Sequence, residues 1–279
     1  MKLRIITSVG IAVFGIPLLI FSQYIIFQIA LAALSAIAMF EALGALGKRA
    51  DLFLAIPAYI ISAAAPFMAY FVNKDWQIKY ILLVCLALFA YMMWSFAVAV
   101  FRLGELKFGD AAAVFAMLAY ITVAFSALSL LRRMGDGTQG VLYLGLVFTA
   151  AWGTDVFAYF TGYFLGKHKL IPKISPKKTV EGSIGGIVFA TLGFLLYGLI
   201  VDLATAYEVS YLTLALSGLL LSVVSQIGDL TASLIKREHG IKDYGVIFPG
   251  HGGVLDRFDS VIAVTAPLMI ICLAFPPFA

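Results

Sequence analysis

The residue types that could do chemistry in this 279-residue chain are crowded between Ser222 and Asp259. Ser222, Ser225, Asp229, Ser233 and Lys236 follow one another at helical spacing, so a helix would carry them on one face. The stripe runs into Arg237 and then into a loop with Lys242, Asp243, Gly245, Pro249, Gly250, His251, Gly252 and Gly253. Asp256 and Asp259 stand at i and i+3 where the next apolar run begins, with Arg257 between them. Carboxylates that close repel one another unless a cation lies nearby, and Asp229 can supply a third. Such an all-oxygen set suits Mg²⁺, which takes one or two carboxylates together with substrate phosphates. Closely spaced glycines around His251 let backbone N–H groups approach phosphate oxygens. Acids, an Mg²⁺ ion and basic side chains on one face fit phosphoryl or nucleotidyl transfer, in which catalysis is mainly positioning and charge neutralisation. The stripe also fits a hydrogen-bonded helix seam, and membrane acids also serve ion-coupled transporters. A transporter gives no reason for glycines, lysines and acids to share one loop. The loop is not a Walker A motif, and no Cys/His spacing suggests zinc.

Two further stretches carry polar groups into apolar surroundings. Asp155 lies about three turns inside an apolar run, with Thr154, Tyr159 and Gly162 able to share its side. It is either a packing acid or a group facing a wet cavity, and the cavity is the reading adopted. In Ser175-Pro176-Lys177-Lys178-Thr179, Ser and Pro read as a helix start. First turns favour acids, so Lys177 and Lys178 there would combine with the helix dipole to hold an anion. Ordinary cytoplasmic charge is the alternative reading. Glu41 is the one acid well inside the first half; pairing with Lys48 near the helix end is expected, with a functional role as the alternative.

The elements that must position these groups are membrane spans. Apolar residues make up 63% of the chain and charged ones 12%, with a mean hydropathy of +1.04. A soluble domain averages roughly 45–50% apolar and about 25% charged. The expected fold is therefore all-α, a polytopic integral membrane protein, without the short alternating segments of a membrane β-barrel. Nine spans are read at 4–21, 24–46, 52–72, 78–101, 110–131, 139–165, 182–202, 210–236 and 258–277. The first has the basic start of a signal peptide but is taken as a span, because eight more follow. Placing the loop at 237–257 in the cytoplasm leaves only Lys74, Lys79, Arg132 and Arg133 of the 19 basic residues on the far side. That bias puts the N-terminus in and the C-terminus out, and it explains the net charge of +4 without a nucleic-acid partner. Cys85 and Cys272 lie in apolar runs and read as buried thiols. No repeat divides the chain, which reads as one membrane domain, 1–135 as scaffold spans and 136–279 as the catalytic spans and loops.

The segment Ser233-x-Ile235-Lys236-Arg237, Lys242-Asp243-x-Gly245, Phe248-Pro249-x-His251-Gly252-Gly253-Val254-x-Asp256-Arg257-Phe258-Asp259 resembles the signature of the phosphatidate cytidylyltransferase (CDP-diacylglycerol synthase) family. Asp155 to Tyr159 and Ser175 to Thr179 also resemble that family, so the likeness covers roughly residues 150–260. The resemblance implies an enzyme converting CTP and phosphatidic acid to CDP-diacylglycerol and pyrophosphate. A bacterial inner membrane is expected from the short, unadorned chain, and the charge bias places the site on its cytoplasmic side. The resemblance also implies Mg²⁺, with room for a second cation, among membrane lipids, and it does not exclude a homodimer. By motif position Asp229, Asp256 and Asp259 would be metal ligands and, with Lys236, the catalytic set. Ser233, Arg237, Lys177, Lys178, Asp155, Lys242, His251, Gly252, Gly253 and Arg257 would bind substrate. A CTP-dependent polyprenol or phytol kinase is the nearest alternative. The CDP-alcohol phosphotransferase motif is absent.

Overall fold

The computed structural model describes residue 13 and residues 15–279, apart from the side chain of Lys74. The expected span 4–21 therefore lies largely outside the described residues, as do Lys2 and Arg4. Among the described residues, eight helices are long and apolar enough to cross a membrane, and their ends agree with the expected spans to within three residues. The chain falls into two compact units: the described part of Met1–Arg133 with Glu238–Arg257, and Met134–Arg237 with Phe258–Ala279. The border near residue 134 lies beside the expected border at 135, but the loop 238–257 belongs with the first unit.

In the first unit, α1 (Ile25–Ala45), α2 (Leu52–Met68), α3 (Gln77–Phe101) and α4 (Phe108–Arg132) are predominantly apolar. Leu31, Met39, Leu43, Leu54, Leu118, Ile121 and Phe125 are buried among them. Proline inside a helix removes the N–H that would bond the carbonyl four residues back, and in lipid that carbonyl has no water to turn to. Pro57 leaves the Phe53 carbonyl in this position, and the Trp94 indole donates to it at 2.8 Å. The hydroxyls of Tyr91 and Tyr80 also donate across to α2, to the Leu54 and Ala65 carbonyls at 2.9 and 2.8 Å. Polar tips of α3 thus repair and brace α2. Cys85, expected to be buried, is exposed on α3, because that helix turns much of its apolar surface outward, towards where lipid would lie; Cys272 is buried.

The second unit begins with α5 (Thr138–Phe148), a π-helical turn over Thr149–Gly153, and α6 (Thr154–Leu165), which together make one span. A hairpin of β1 (Lys169–Ile171) and β2 (Ser175–Thr179) follows, pairing Lys169 with Thr179 and Ile171 with Ser175. Then come α7 (Val180–Ala204), α8 (Tyr211–Glu238) and α9 (Leu255–Ala274), whose ends run just into the first unit. The expectation that Ser175-Pro176 starts a helix is overturned. Lys177 and Lys178 lie on β2, and the helix starts at Val180, where the Thr179 hydroxyl accepts the Gly182 N–H at 3.1 Å. That cap and the acid Glu181 in the first turn mark the helix start, so the two lysines precede the first turn instead of occupying it.

Helices α6 and α7 pack through glycine. A Cβ at Gly182 would stand 2.7 Å from the Ala158 carbonyl oxygen and 3.1 Å from the Gly162 Cα. Both obstacles are backbone, so the helices would have to separate. Gly182→Ala is expected to cost about 1–3 kcal/mol, read as a lower melting temperature in detergent. Gly109→Ala, with nothing within 4 Å of the new methyl, should melt with the parent.

Candidate active site

The second unit holds a cavity of about 540 Å³ between α6, the hairpin, α7 and α8, lined by Asp155, Tyr159, Lys177, Lys178, Gln226 and Asp229 among others. Local structure explains why each group is there. The π turn comes just before Asp155; its Thr149 hydroxyl donates back to the Gly145 carbonyl, and Thr154 donates to the Ala150 carbonyl at 2.6 Å. Such back-bonding occupies hydroxyls that have no water to bond. Asp155 then points into the cavity, where the Ser260 hydroxyl of α9 donates to it at 3.2 Å.

On α8 the polar stripe changes character along its length. Ser222 and Ser225 are buried, whereas Asp229, Ser233 and Lys236 are partly exposed. Ser222 donates to the Leu219 carbonyl of its own helix at 2.9 Å, and Ser225 Oγ has no hydrogen-bond partner among the described residues. Asp229 forms an ion pair with Lys178 of β2. Three residues before it, Gln226 accepts from the Ser183 hydroxyl at 2.5 Å and donates to the Ser183 carbonyl at 3.2 Å, fixing α8 against α7. At the helix end, Arg237 Nε donates to the Ile174 carbonyl of the hairpin at 3.4 Å. Asp155 and Asp229 line the same cavity, and Asp259 is the chain neighbour of Ser260, which donates to Asp155.

The hairpin carrying Lys177 and Lys178 is held at its base by Glu181. This carboxylate accepts the backbone N–H groups of Lys167 at 3.1 Å and His168 at 3.2 Å, and it lies 2.6 Å from His168 Nδ1. Sequence reasoning missed Glu181, Gln226 and Tyr163, which lines the cavity beside Tyr159. A threonine cap followed by an acid in the first turn was the available signal for Glu181. The pairing of Gln226 with Ser183 left none.

Asp256, Arg257, His251, Gly252, Gly253 and Lys242 belong to the first unit. Lys242 and Arg257 are exposed. Asp256 Oδ2 accepts the Tyr244 N–H at 2.7 Å and the Gly253 N–H at 2.9 Å. Arg257 Nε donates to the His251 carbonyl at 2.8 Å, and the His251 N–H donates to the Phe248 carbonyl at 2.8 Å. The expectation that the Gly253 amide serves a phosphate needs correction, because Asp256 already occupies it. Glu41 does not pair with Lys48 as expected. Lys48 bonds Asp110 at 2.8 Å, while Glu41 accepts the Val254 and Leu255 N–H groups at 3.0 and 2.9 Å.

Among the described residues, no three acidic, histidine or cysteine side chains converge closely enough to hold an ion unaided. Asp155, Asp229 and Asp259 offer hard carboxylate oxygens beside lysines, and Mg²⁺ characteristically completes such a set with water and substrate phosphate. The residues fit an ion that arrives with its substrate.

A family model described as the cytidylyltransferase family matches residues 2–275. The chain is similar to proteins named phosphatidate cytidylyltransferase. One from Brucella abortus biovar 1 is 47% identical over 146 residues, 52% of each chain. One from Bacillus subtilis is 44% identical over 155 residues, 56% of this chain and 55% of that one. One from Staphylococcus epidermidis strain ATCC 35984 is 34% identical over 273 residues, 98% of this chain and 99% of that one. The matches thus span about half of the Brucella and Bacillus relatives and nearly all of the Staphylococcus relative.

If Glu181 sets the position of the hairpin, Glu181→Ala should speed amide exchange at residues 167–169 while leaving α8 protected. In a turnover assay it should raise KM by about three- to tenfold, the scale of one or two lost hydrogen bonds to a charged group, with a smaller change in kcat. Unchanged exchange and KM would show that the hairpin holds itself.

Proposed function

The chain belongs to the cytidylyltransferase family, and on that premise we propose that it converts CTP and phosphatidic acid to CDP-diacylglycerol and pyrophosphate. The observation that carries this reading is the Lys178–Asp229 ion pair in a cavity shared with Lys177 and Asp155. An ion pair at a cavity wall is neutral and can exchange its partners together. A phosphate takes the ammonium, and a cation travelling with that phosphate takes the carboxylate. A substrate that enters as a magnesium–nucleotide complex brings both halves.

In the proposed reaction, an oxygen of the lipid phosphate bonds to the α-phosphorus of CTP. The bond from that phosphorus to the bridging α–β oxygen breaks, and pyrophosphate leaves with the electron pair. The nucleophile is already ionised, so no general base is required. Lys177, Lys178, Lys236 and Arg237 bind and orient phosphate oxygens, and Ser233 donates to one. Asp229 and Asp259, with Asp155 beside them, would hold Mg²⁺, which when bound supplies positive charge to the phosphates. Tyr159 and Tyr163, both well exposed on α6, offer flat apolar surface at the cavity to the lipid. The proposed setting is a bacterial inner membrane, with the loop 238–257 and the hairpin on the cytoplasmic side. The charge bias across the spans supports that side.

The test supplies purified protein in detergent with CTP, Mg²⁺ and phosphatidic acid and identifies both products. Pyrophosphate with CDP-diacylglycerol is expected. Release of CDP would instead indicate a lipid kinase, and an active, folded preparation without nucleotide turnover would point to transport. Asp229→Asn removes the charge but keeps the shape, and kcat should fall at least about 100-fold, roughly 2.7 kcal/mol of lost transition-state stabilisation. Asp256→Asn tests the metal-ligand role that the family signature gives this residue: the amide oxygen can still accept the Tyr244 and Gly253 N–H groups, so the fold should survive while activity is lost. Normal turnover in either variant removes that carboxylate from the mechanism. Lys178→Ala should chiefly raise KM, and an unchanged KM for both substrates argues against phosphate binding there.

A further inference from the structure

Glu41 lies on α1, outside the signature segment, and nothing above gives it a part in turnover. Its side chain is 1% exposed in an apolar span. Insertion scales put a charge at the centre of a span at about 2.5–3.5 kcal/mol, and although Glu41 lies nearer the helix end, its burial still needs compensation. The compensation is specific. Oε1 accepts the Val254 N–H and Oε2 the Leu255 N–H. These amides open α9, where backbone donors have no partner within their own helix. The Gly253 N–H, just before them, goes to Asp256. Three consecutive amides are thus divided between two carboxylates, and Asp256 is itself among the charged neighbours of Glu41.

The glycines of the loop make room for this arrangement. A Cβ on Gly253 or on Gly245 would collide with the Glu41 carboxylate. Neither has a positive φ, so its backbone would accept alanine; the obstacle is Glu41. Gly252 does have a positive φ, 86°, and a Cβ there would stand 2.6 Å from Asp256 Oδ2. Gly245 and Gly253 are therefore shaped around a residue some two hundred positions earlier in the chain.

We propose that Glu41 is a positioning residue for turnover: its carboxylate locks the 244–255 loop and thereby sets where Asp256 is presented at the start of α9. The effect on turnover rests on the proposed function, whereas the lock itself does not. Two oxygens receive two N–H groups, so both acceptors are needed. Glutamine would fill the same volume but place an NH₂ against one of the donors. Aspartate keeps both acceptors on a shorter arm.

The test compares the parent, Glu41→Gln and Glu41→Asp, each purified in detergent and scored per folded molecule. Hydrogen exchange followed by mass spectrometry should show peptides covering 244–255 exchanging about tenfold faster in Glu41→Gln, with α4 unchanged, as expected for losing one buried hydrogen bond. In the same preparation kcat should fall about 10- to 100-fold, the scale of a small misplacement of a reacting group, while KM for CTP stays within about threefold. Glu41→Asp should recover part of the kcat. A merely structural Glu41 would reduce the yield of folded protein but leave kcat per folded molecule unchanged, and that result overturns the proposal. Unchanged exchange at 244–255 overturns it as well. If the parent turns over no CTP, the proposed function fails while the exchange measurement still decides the lock. Should Glu41→Gln not fold, Gly253→Ala approaches the same contact from the loop side. It should show the same faster exchange and lower kcat, and parent-like values there refute the lock.

Discussion

Charge inside an apolar span is the constraint on which the rest of this molecule depends. An ionised side chain in hydrocarbon must find its compensation in protein, because water is not at hand. The chain meets this requirement in different ways. Glu41 is met by backbone amides, Asp155 by the Ser260 hydroxyl, and Asp229 by the Lys178 ammonium. Each solution fixes an element that the acid does not belong to: the signature loop, α9 and the hairpin. The acids are thus points of attachment as well as candidate reactive groups.

The solutions differ in what they leave available. Asp256 and Glu41 use up three successive amides, and with them the backbone donors that a glycine-rich loop would otherwise offer an anion. The loop is a closed piece of architecture whose glycines serve internal carboxylates. The Lys178–Asp229 pair is the opposite case. Both side chains are about one-quarter exposed, at 25% and 24%, and each can be drawn away by a ligand of the other sign. Rigid support in one unit and an exchangeable pair in the other are different uses of the same residue types.

The spans were legible because a helix crossing hydrocarbon needs about 20 apolar residues, which is a property of composition alone. The α8 stripe was legible because helical periodicity is local. Legibility ended where partners lie far apart in sequence. Lys48 looked like the partner of Glu41 because it is near in the chain, yet Lys48 bonds Asp110, and Glu41 reaches residues 254 and 255. Ser175-Pro176 has the composition of a helix start, but the antiparallel pairing of Lys169 with Thr179 and the cap at Thr179 place that start five residues later. The signature pointed to Asp229, Asp256 and Asp259 as one group. Asp155, which lacks a sequence neighbour among them, lines the same cavity as Asp229.

The π turn at Thr149–Gly153 has a developmental meaning for the span that contains it. A wider turn holds one residue more than an α-helix would use to climb the same distance, and π turns of this kind often sit at functional sites. Each residue of an α-helix advances the azimuth by about 100°. Wound as an α-helix with every residue kept, the stretch would re-phase everything after it by about that angle. Asp155, Tyr159 and Gly162 would leave the cavity together, although no side chain had changed. The orientation of this whole face is therefore stored in how a five-residue stretch is wound, and tightening that turn with every residue kept would rotate the site.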